Sequence, residues 1–147
     1  MKTQTQVVVI GGGVVGCSVL YHLTKLGWSD VVLLERKELT SGSTWHAAGG
    51  MHTINGDPSV AKLQQYTIEL YRDIEEISEQ SIGLHMTGGI MLAATPARFD
   101  WLKSIHAKGR YLGMETKIIS AREAAEIMPL IDPSQFEDAM FDPIEGH

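Results

Sequence analysis

The sequence lacks most features that mark secreted, membrane-spanning or nucleic-acid-binding proteins. Its 147 residues include one cysteine, so no disulfide can form within the chain. No apolar run reaches membrane-spanning length, and a strand-like run begins within ten residues of Met1, which leaves no room for a signal or transit peptide. Twelve basic and 18 acidic residues give a net charge of −6, whereas a nucleic-acid surface needs a basic stripe. These absences predict a cytoplasmic protein with no membrane span and no nucleic-acid partner.

Metal-ligand spacing is also missing from the sequence. His46 and His52 are six residues apart, which suits neither a helix nor a strand as a pair of metal ligands. His85 and His106 have no acidic or histidine neighbour at ligand spacing. We therefore predict no metal site.

The most informative stretch is a β-α-β pattern over residues 7–35. Two short β-branched runs, at 7–10 and 31–34, are typical of parallel strands that are buried on both faces. Between them lies a helical pattern that begins with a G-x-G-x-x-G fingerprint formed by Gly11, Gly13 and Gly16. A glycine fingerprint by itself is weak evidence for a dinucleotide site. A strand, a glycine turn, a helix and a second strand in this order indicate a dinucleotide-binding unit.

Each fingerprint glycine has a separate task in such a unit. Gly11 permits the tight turn, Gly13 lets the backbone approach a pyrophosphate, and Gly16 lets the helix pack closely. The helix N-terminus then offers free N–H groups to the phosphates. Glu35 ends the second strand 19 residues after Gly16 (35 − 16), at the spacing of the acid that binds a ribose hydroxyl.

The next segment, residues 36–56, has neither helical nor strand periodicity and is rich in small residues. It is longer than an ordinary connection and leaves the edge of a parallel strand where ligands bind. Ser43 and Thr44 offer donors to a phosphate or a ribityl chain. His46 is unusual in such a loop, although residue type and position alone favour a hydrogen-bonded structural or surface histidine.

The pattern over residues 57–147 predicts an α+β segment, which differs from the β-α-β pattern that precedes it. Asp57 and Pro58 begin a long amphipathic helix that we expect to end near Gly83. The remaining expectations are a strand over 84–94 broken at Gly88 and Gly89, a helix from Thr95 to Gly109, strands at 115–119 and 136–141, and a short helix opened by a capping box at Ser120.

Several of these stretches carry a resemblance. The run GGGVVG, the strand that ends at Glu35 and above all SGSTWHAAGG resemble the start of the FAD-dependent dimethylglycine and sarcosine dehydrogenases, of the glycine/D-amino-acid oxidase superfamily. TGGIMLA at 87–93, MPLID at 128–132 and the closing DPIEGH extend the likeness over the whole chain. The resemblance implies an α/β fold, with a Rossmann-like FAD-binding β-α-β unit in residues 1–56. A partial substrate or cap segment of α+β type would then occupy residues 57–147.

The same resemblance implies roles for particular residues. His46 would bond covalently to FAD, and Gly50 would lie near the flavin, although relatives often have leucine at that position. The other implied cofactor-binding residues are those of the pyrophosphate turn, the ribose site and the approach to the ring: Gly11, Gly13, Val14, Val15, Gly16, Glu35, Arg36, Ser43, Thr44 and Trp45.

The implied activity is oxidative demethylation of dimethylglycine, sarcosine or a similar small N-methylated amine, by hydride transfer to the flavin. Oxygen or an electron-transfer flavoprotein would take the electrons. Two other interpretations stay open, a non-covalent FAD amine or amino-acid oxidase and a truncated fragment that binds FAD without catalysis. An NAD-linked enzyme is a weaker alternative, because its fold normally proceeds from the acid directly to a third strand.

The sequence also predicts that this chain is the N-terminal piece of a longer protein, incomplete at its C-terminus. No second glycine turn follows residue 35, and residues 142–147 contain neither a helix stop nor a polar tail. The groups that face the substrate are expected beyond residue 147, and a tetrahydrofolate site is expected only in a longer parent. The 147-residue fragment alone would then be inactive.

Overall fold

The computed structural model describes residues 3–147, which divide into two units, one ending at Ala48 and the other covering Gly49–His147. The first unit is the predicted β-α-β pattern. Strand β1 covers Val7–Ile10, helix α1 covers Val14–Lys25, and strand β2 covers Val31–Leu34. The two strands are parallel, with Val7 opposite Val31. Gly27, which has φ of +91°, follows the end of α1 as the sequence predicted.

The second unit contains an antiparallel sheet and three helices. Helix α2 covers Pro58–Ser78, strand β3 Gly89–Ala93, helix α3 Pro96–Tyr111, strand β4 Lys117–Ser120, helix α4 Ala121–Ile127 and strand β5 Asp138–Asp142, with a short 3₁₀ turn at Pro133–Gln135. The sheet order is β3-β5-β4, so the last strand pairs with both earlier ones. The α/β fold class, a β-α-β unit followed by an α+β segment, is therefore confirmed.

Three predicted helix starts have the expected caps. The Asp57 carboxylate accepts hydrogen bonds from the N–H groups of Ser59 and Val60 at the start of α2. Thr95 caps α3 in the same way, through the N–H of Arg98. At Ser120 both halves of the capping box are present.

Two expected boundaries were wrong. Helix α2 ends at Ser78 and not near Gly83, because Glu79 adopts a left-handed conformation and the Glu75 carboxylate accepts the N–H of Ile82 beyond the helix. Residues 84–88 do not belong to a strand of the sheet. Instead, His85 exchanges two backbone hydrogen bonds with His147, and Gly88 donates to the carbonyl of Glu145.

The core of the second unit lies between α3 and the sheet. Ala93 on β3, Leu102 on α3 and Met140 on β5 are fully buried and in contact. Their partly buried neighbours are Ile54, Met91, Phe99, Ile105 and Ile118. The capped helix α3 thus fixes the position of the sheet through one small apolar cluster.

This core yields a stability prediction. Replacing Leu102 with alanine removes a fully buried side chain, and we expect the free energy of unfolding to fall by about 2–5 kcal/mol. Leu130 is 90% exposed, so the matched Leu130→Ala variant should change that free energy by less than about 0.5 kcal/mol. Urea denaturation followed by circular dichroism measures both values, and equal effects in the two variants would contradict the assignment of this core.

Candidate functional site

The glycine fingerprint forms a tight turn between β1 and α1. Gly11 has φ of +105°, and its N–H donates to the carbonyl of Leu34 at 2.8 Å. A β-carbon built on Gly16 would lie 1.8 Å from the carbonyl oxygen of Gly11, so only glycine fits at this crossing. The first helical hydrogen bond runs from the N–H of Cys17 to the carbonyl of Gly13. No side chain of Gly13 can cap the helix, which leaves its N-terminus suited to an anion.

Glu35 connects the end of β2 to this turn. Its Oε2 accepts the N–H of Gly12 at 2.7 Å, and its Oε1 accepts the N–H of Lys37 at 2.9 Å. These two backbone hydrogen bonds, Gly12 first, lower the pKa of the Glu35 carboxyl below its usual value of 4.5. The neighbouring charge of Arg36 acts in the same direction with a smaller effect. Each carboxylate oxygen retains a lone pair, so Glu35 can still accept ribose hydroxyls.

The loop that follows β2 lies against the glycine turn. The N–H of Thr40 donates to the carbonyl of Gly12 at 2.9 Å. The hydroxyl of Thr44 accepts the N–H of Val14 at 3.0 Å, and it lies where a β-carbon on Gly13 would crowd it. The absence of a side chain at Gly13 therefore makes room for the loop as well as for a phosphate.

His46 lies on a series of tight turns in this loop. Its backbone N–H donates to the carbonyl of Ser43 at 3.1 Å, and its ring Nδ1 lies 2.9 Å from the carbonyl oxygen of Gly42. A carbonyl oxygen only accepts hydrogen bonds, so Nδ1 carries a proton, and in the neutral tautomer Nε2 carries the lone pair. The imidazole and the neighbouring Trp45 are exposed. The loop thus presents an exposed imidazole that is held through Nδ1, with Nε2 as its other nitrogen.

The structure brings eleven of the twelve predicted cofactor residues into one unit. These are Gly11, Gly13, Val14, Val15, Gly16, Glu35, Arg36, Ser43, Thr44, Trp45 and His46. Gly50 belongs to the other unit, where a β-carbon on it would lie 3.3 Å from Nε2 of His52. That these residues bind a cofactor stays a prediction.

The sequence interpretation missed the part played by Gly12. Its N–H and its carbonyl are both engaged, by Glu35 and Thr40, and a β-carbon would lie 2.5 Å from the side chain of Leu39. Three consecutive glycines were the available signal, since a fingerprint requires only the first and third of them.

Among residues 3–147, no helix combines the length and the apolar character needed to cross a bilayer. Over the same residues, no three histidine, cysteine or acidic side chains lie close enough together to coordinate a metal ion.

A glycine turn at a helix N-terminus, an acid at the end of the next strand and a histidine loop against the turn define a dinucleotide-binding oxidoreductase unit. Comparison with known families agrees with this class. The family described as DAO, FAD dependent oxidoreductase, matches residues 6–147, and the chain belongs to it.

Three curated relatives match almost all of this chain, which spans less than a fifth of the length of each. Mitochondrial dimethylglycine dehydrogenase of Rattus norvegicus is 40% identical over 99% of this chain and 17% of that protein. Mitochondrial sarcosine dehydrogenase of Homo sapiens is 35% identical over 99% of this chain and 16% of that protein. The mitochondrial pyruvate dehydrogenase phosphatase regulatory subunit of Mus musculus is 38% identical, over 97% and 16%. The resemblance stated from the sequence is confirmed.

The fold is also similar to solved structures. L-proline dehydrogenase from P. horikoshii superimposes with a TM-score of 0.91 and is 29% identical, over 99% of this chain and 38% of that chain. The structural similarity therefore extends across both units of the chain.

The close approach of Gly16 to the Gly11 carbonyl can be tested with a matched pair of variants. In Gly16→Ala the new methyl would collide with the Gly11 carbonyl, so we expect a distorted turn and loss of FAD binding. Gly42→Ala places its methyl in open space and should bind FAD as the unmodified protein does. Flavin absorbance of the purified proteins measures both, and full flavin content in Gly16→Ala would refute the packing argument.

The lowered pKa of Glu35 predicts the pH dependence of the turn. The carboxylate's hydrogen bonds are fully present above pH 4.5, its unperturbed pKa, and are lost as the pH falls through the lower pKa of the folded chain. Glu35→Gln, which removes the charge at every pH, should weaken FAD binding about tenfold or more. Glu38→Gln, at an exposed position three residues away, is the control. Fluorescence titration with FAD, with both variants made in a His46→Ala background so that no covalent bond forms, measures the affinity, and equal affinities would contradict this role.

Proposed function

We propose that the protein is an FAD-dependent oxidoreductase that removes a methyl group from dimethylglycine or sarcosine, with FAD bonded covalently to His46. The single observation that carries the proposal is the exposed His46 ring, fixed by Gly42 on a loop that is hydrogen-bonded to the dinucleotide turn. Membership in the FAD family and the 40% identity to dimethylglycine dehydrogenase support the cofactor and the substrate class.

The residues present fit FAD. The pyrophosphate would lie at the N-terminus of α1, beside Val14 and Val15, where the N–H of Val14 already donates to the Thr44 hydroxyl. Glu35 would accept the hydroxyls of the adenosine ribose, and its negative charge would repel a 2′-phosphate. Family membership also favours FAD over the NAD-linked alternative.

The geometry of His46 supports Nε2 as the atom that would form the bond. Nδ1 donates to the Gly42 carbonyl, so Nε2 holds the free electron pair and is the nucleophilic nitrogen. The same hydrogen bond prevents the ring from presenting Nδ1 instead. Ser43, Thr44 and Trp45 would line the approach to the ring, and Gly50 would leave space beside it.

Bound flavin would supply a two-electron acceptor for the C–H bond of the substrate's N-methyl group. The substrate would lose a hydride to become an iminium, and water would then release formaldehyde and the demethylated amine. The chain's contribution is to keep the ribose and the ring fixed through Glu35 and His46 while the amine reacts. Oxygen or an electron-transfer flavoprotein would finally remove the electrons.

A second candidate is a family member that binds FAD without catalysis. One observation favours it: the pyruvate dehydrogenase phosphatase regulatory subunit of Mus musculus is nearly as similar to this chain as the dehydrogenases are. A non-covalent FAD amine or amino-acid oxidase is the remaining alternative.

Three finer assignments accompany the proposal. Electron-transfer flavoprotein as the partner, tetrahydrofolate as an acceptor in a longer parent, and a cytoplasmic location all stay predictions. The dehydrogenase relatives of Rattus norvegicus and Homo sapiens are described as mitochondrial.

The covalent bond has a direct test. Acid denaturation of the intact protein should leave yellow flavin in the pellet, and His46→Ala should release all of it into the supernatant. His85→Ala, a histidine variant in the other unit, should retain the flavin in the pellet. Free flavin from the unmodified protein would rule out the bond and favour a non-covalent oxidase. Failure of dimethylglycine and sarcosine to bleach bound flavin would favour the non-catalytic candidate.

A further inference from the structure

An open cleft in the Gly49–His147 unit is formed by residues that have no part in the proposed function. It lies between the C-terminal half of α3 and strand β4, and all of its lining residues belong to these two elements or to the short connection between them. Its volume is about 590 Å³, which is in the range of small-molecule sites. The lining residues are His106, Arg110, Met114, Glu115, Thr116, Lys117 and Ile118.

The cleft lies in a basic part of an acidic chain. Residues 96–117 contain five lysines and arginines and two acidic residues, a net charge of +3 (5 − 2), whereas the whole chain has a net charge of −6. Three of the five cations already have partners. Arg98 lies over the ring of a tryptophan, Lys103 pairs with a neighbouring aspartate, and Lys108 donates to a backbone carbonyl.

The other two cations, Arg110 and Lys117, are the ones that line the cleft. Within residues 3–147, neither charged group forms an ion pair or a hydrogen bond, and neither lies over an aromatic ring. Both side chains belong to exposed residues, so water is their present partner. Two positive charges at this cleft are therefore available to a ligand.

His106 adds a hydrogen-bond donor to the cleft. Its Nδ1 lies 2.8 Å from the hydroxyl oxygen of Thr116, which is a buried residue. Within residues 3–147 this hydroxyl has no other partner, so its proton is satisfied when it is donated to Nδ1. The neutral ring then carries its own proton on Nε2, and the protonated ring carries one there as well. Nε2–H is thus a donor in both charge states of the ring.

Two sources of negative potential also lie at the cleft, and neither cancels this charge. The last carbonyls of α3 are occupied, because they accept the N–H groups of Leu112, Gly113 and Met114 at 2.9–3.1 Å. Glu115 is the acidic lining residue, and in the described chain it pairs with neither cation. Even with a neutral histidine, the lining side chains keep a net charge of +1 (2 − 1).

We propose that this cleft binds the phosphate group of a small molecule. Arg110 and Lys117 supply the positive charge, and Nε2 of His106 donates a hydrogen bond. Three donor groups from separate positions match the three terminal oxygens of a phosphate, and the flat guanidinium fork binds two of them at once. The buried side chain of Met114 and the core contact of Ile118 hold the apolar wall of the cleft in place. This inference does not depend on the flavin chemistry of the other unit.

The test is a titration of the protein with inorganic phosphate at constant ionic strength, observed through the NMR signals of the His106 ring. Arg110→Gln and Lys117→Gln should each weaken binding about fivefold or more, because each removes a charge-assisted hydrogen bond. Lys103→Gln is the matched control: it removes a cation of α3 that is already paired, and the affinity should stay within about twofold. Glu115→Gln should strengthen binding about twofold or more, because it removes a repelling charge.

The opposite sign expected for Glu115→Gln separates binding from a structural defect, which would not tighten a site. Phosphate that leaves the His106 signals unmoved, or that shifts them equally in all four variants, would overturn the proposal. Acetate that binds as tightly as phosphate would overturn the assignment to phosphate. Sedimentation with phosphatidylserine vesicles that weakens as much in Lys103→Gln as in Arg110→Gln would identify a membrane-binding surface and would also overturn it. If Arg110→Gln does not fold, Lys117→Gln and Glu115→Gln give the decision.

Discussion

The arrangement of the first unit depends on the backbone N–H and carbonyl of Gly12. Its N–H is bound by Glu35 from the end of β2, and its carbonyl is bound by Thr40 from the following loop. One residue without a side chain therefore joins the second strand, the glycine turn and the histidine loop. A β-carbon there would collide with Leu39, so the three segments could no longer meet at this point. Any geometry that the loop offers to a cofactor follows from this contact.

The same contacts hold the loop that carries His46 against helix α1. Thr44 ties the loop to the N–H of Val14, at the first turn of α1, and the Gly42 carbonyl fixes the ring two residues further on. A pyrophosphate at the helix and an imidazole on the loop would thus belong to one hydrogen-bonded framework. Holding a nucleophile in position lowers the activation free energy of its reaction. A modest nucleophile such as imidazole could therefore form a covalent bond without a separate catalyst.

Much of this could be predicted from the sequence because the signals are local. The strands around residues 7–35, the caps at Asp57, Thr95 and Ser120, and the positive φ of Gly27 depend on neighbouring residues. Contacts between distant segments could not be predicted. The pairing of His85 with His147 and of Met51 with Gly146 depends on the tertiary fold, and it prevented residues 84–88 from joining the sheet. The His52–Glu145 pair has the same origin and left no trace in local spacing.

Two glutamates show why residue type alone does not fix a role. Glu35 is accessible and accepts two backbone N–H groups, which lower the pKa of its carboxyl and keep it an acceptor for neutral hydroxyls. Glu145 is buried, has one oxygen without a partner, and faces an imidazole that can itself become charged. Backbone donors cannot move, so the first carboxylate suits the binding of a fixed ligand. The partner of Glu145 is a side chain 3.3 Å away, so this pair depends on the tertiary contacts that bring residues 52 and 145 together.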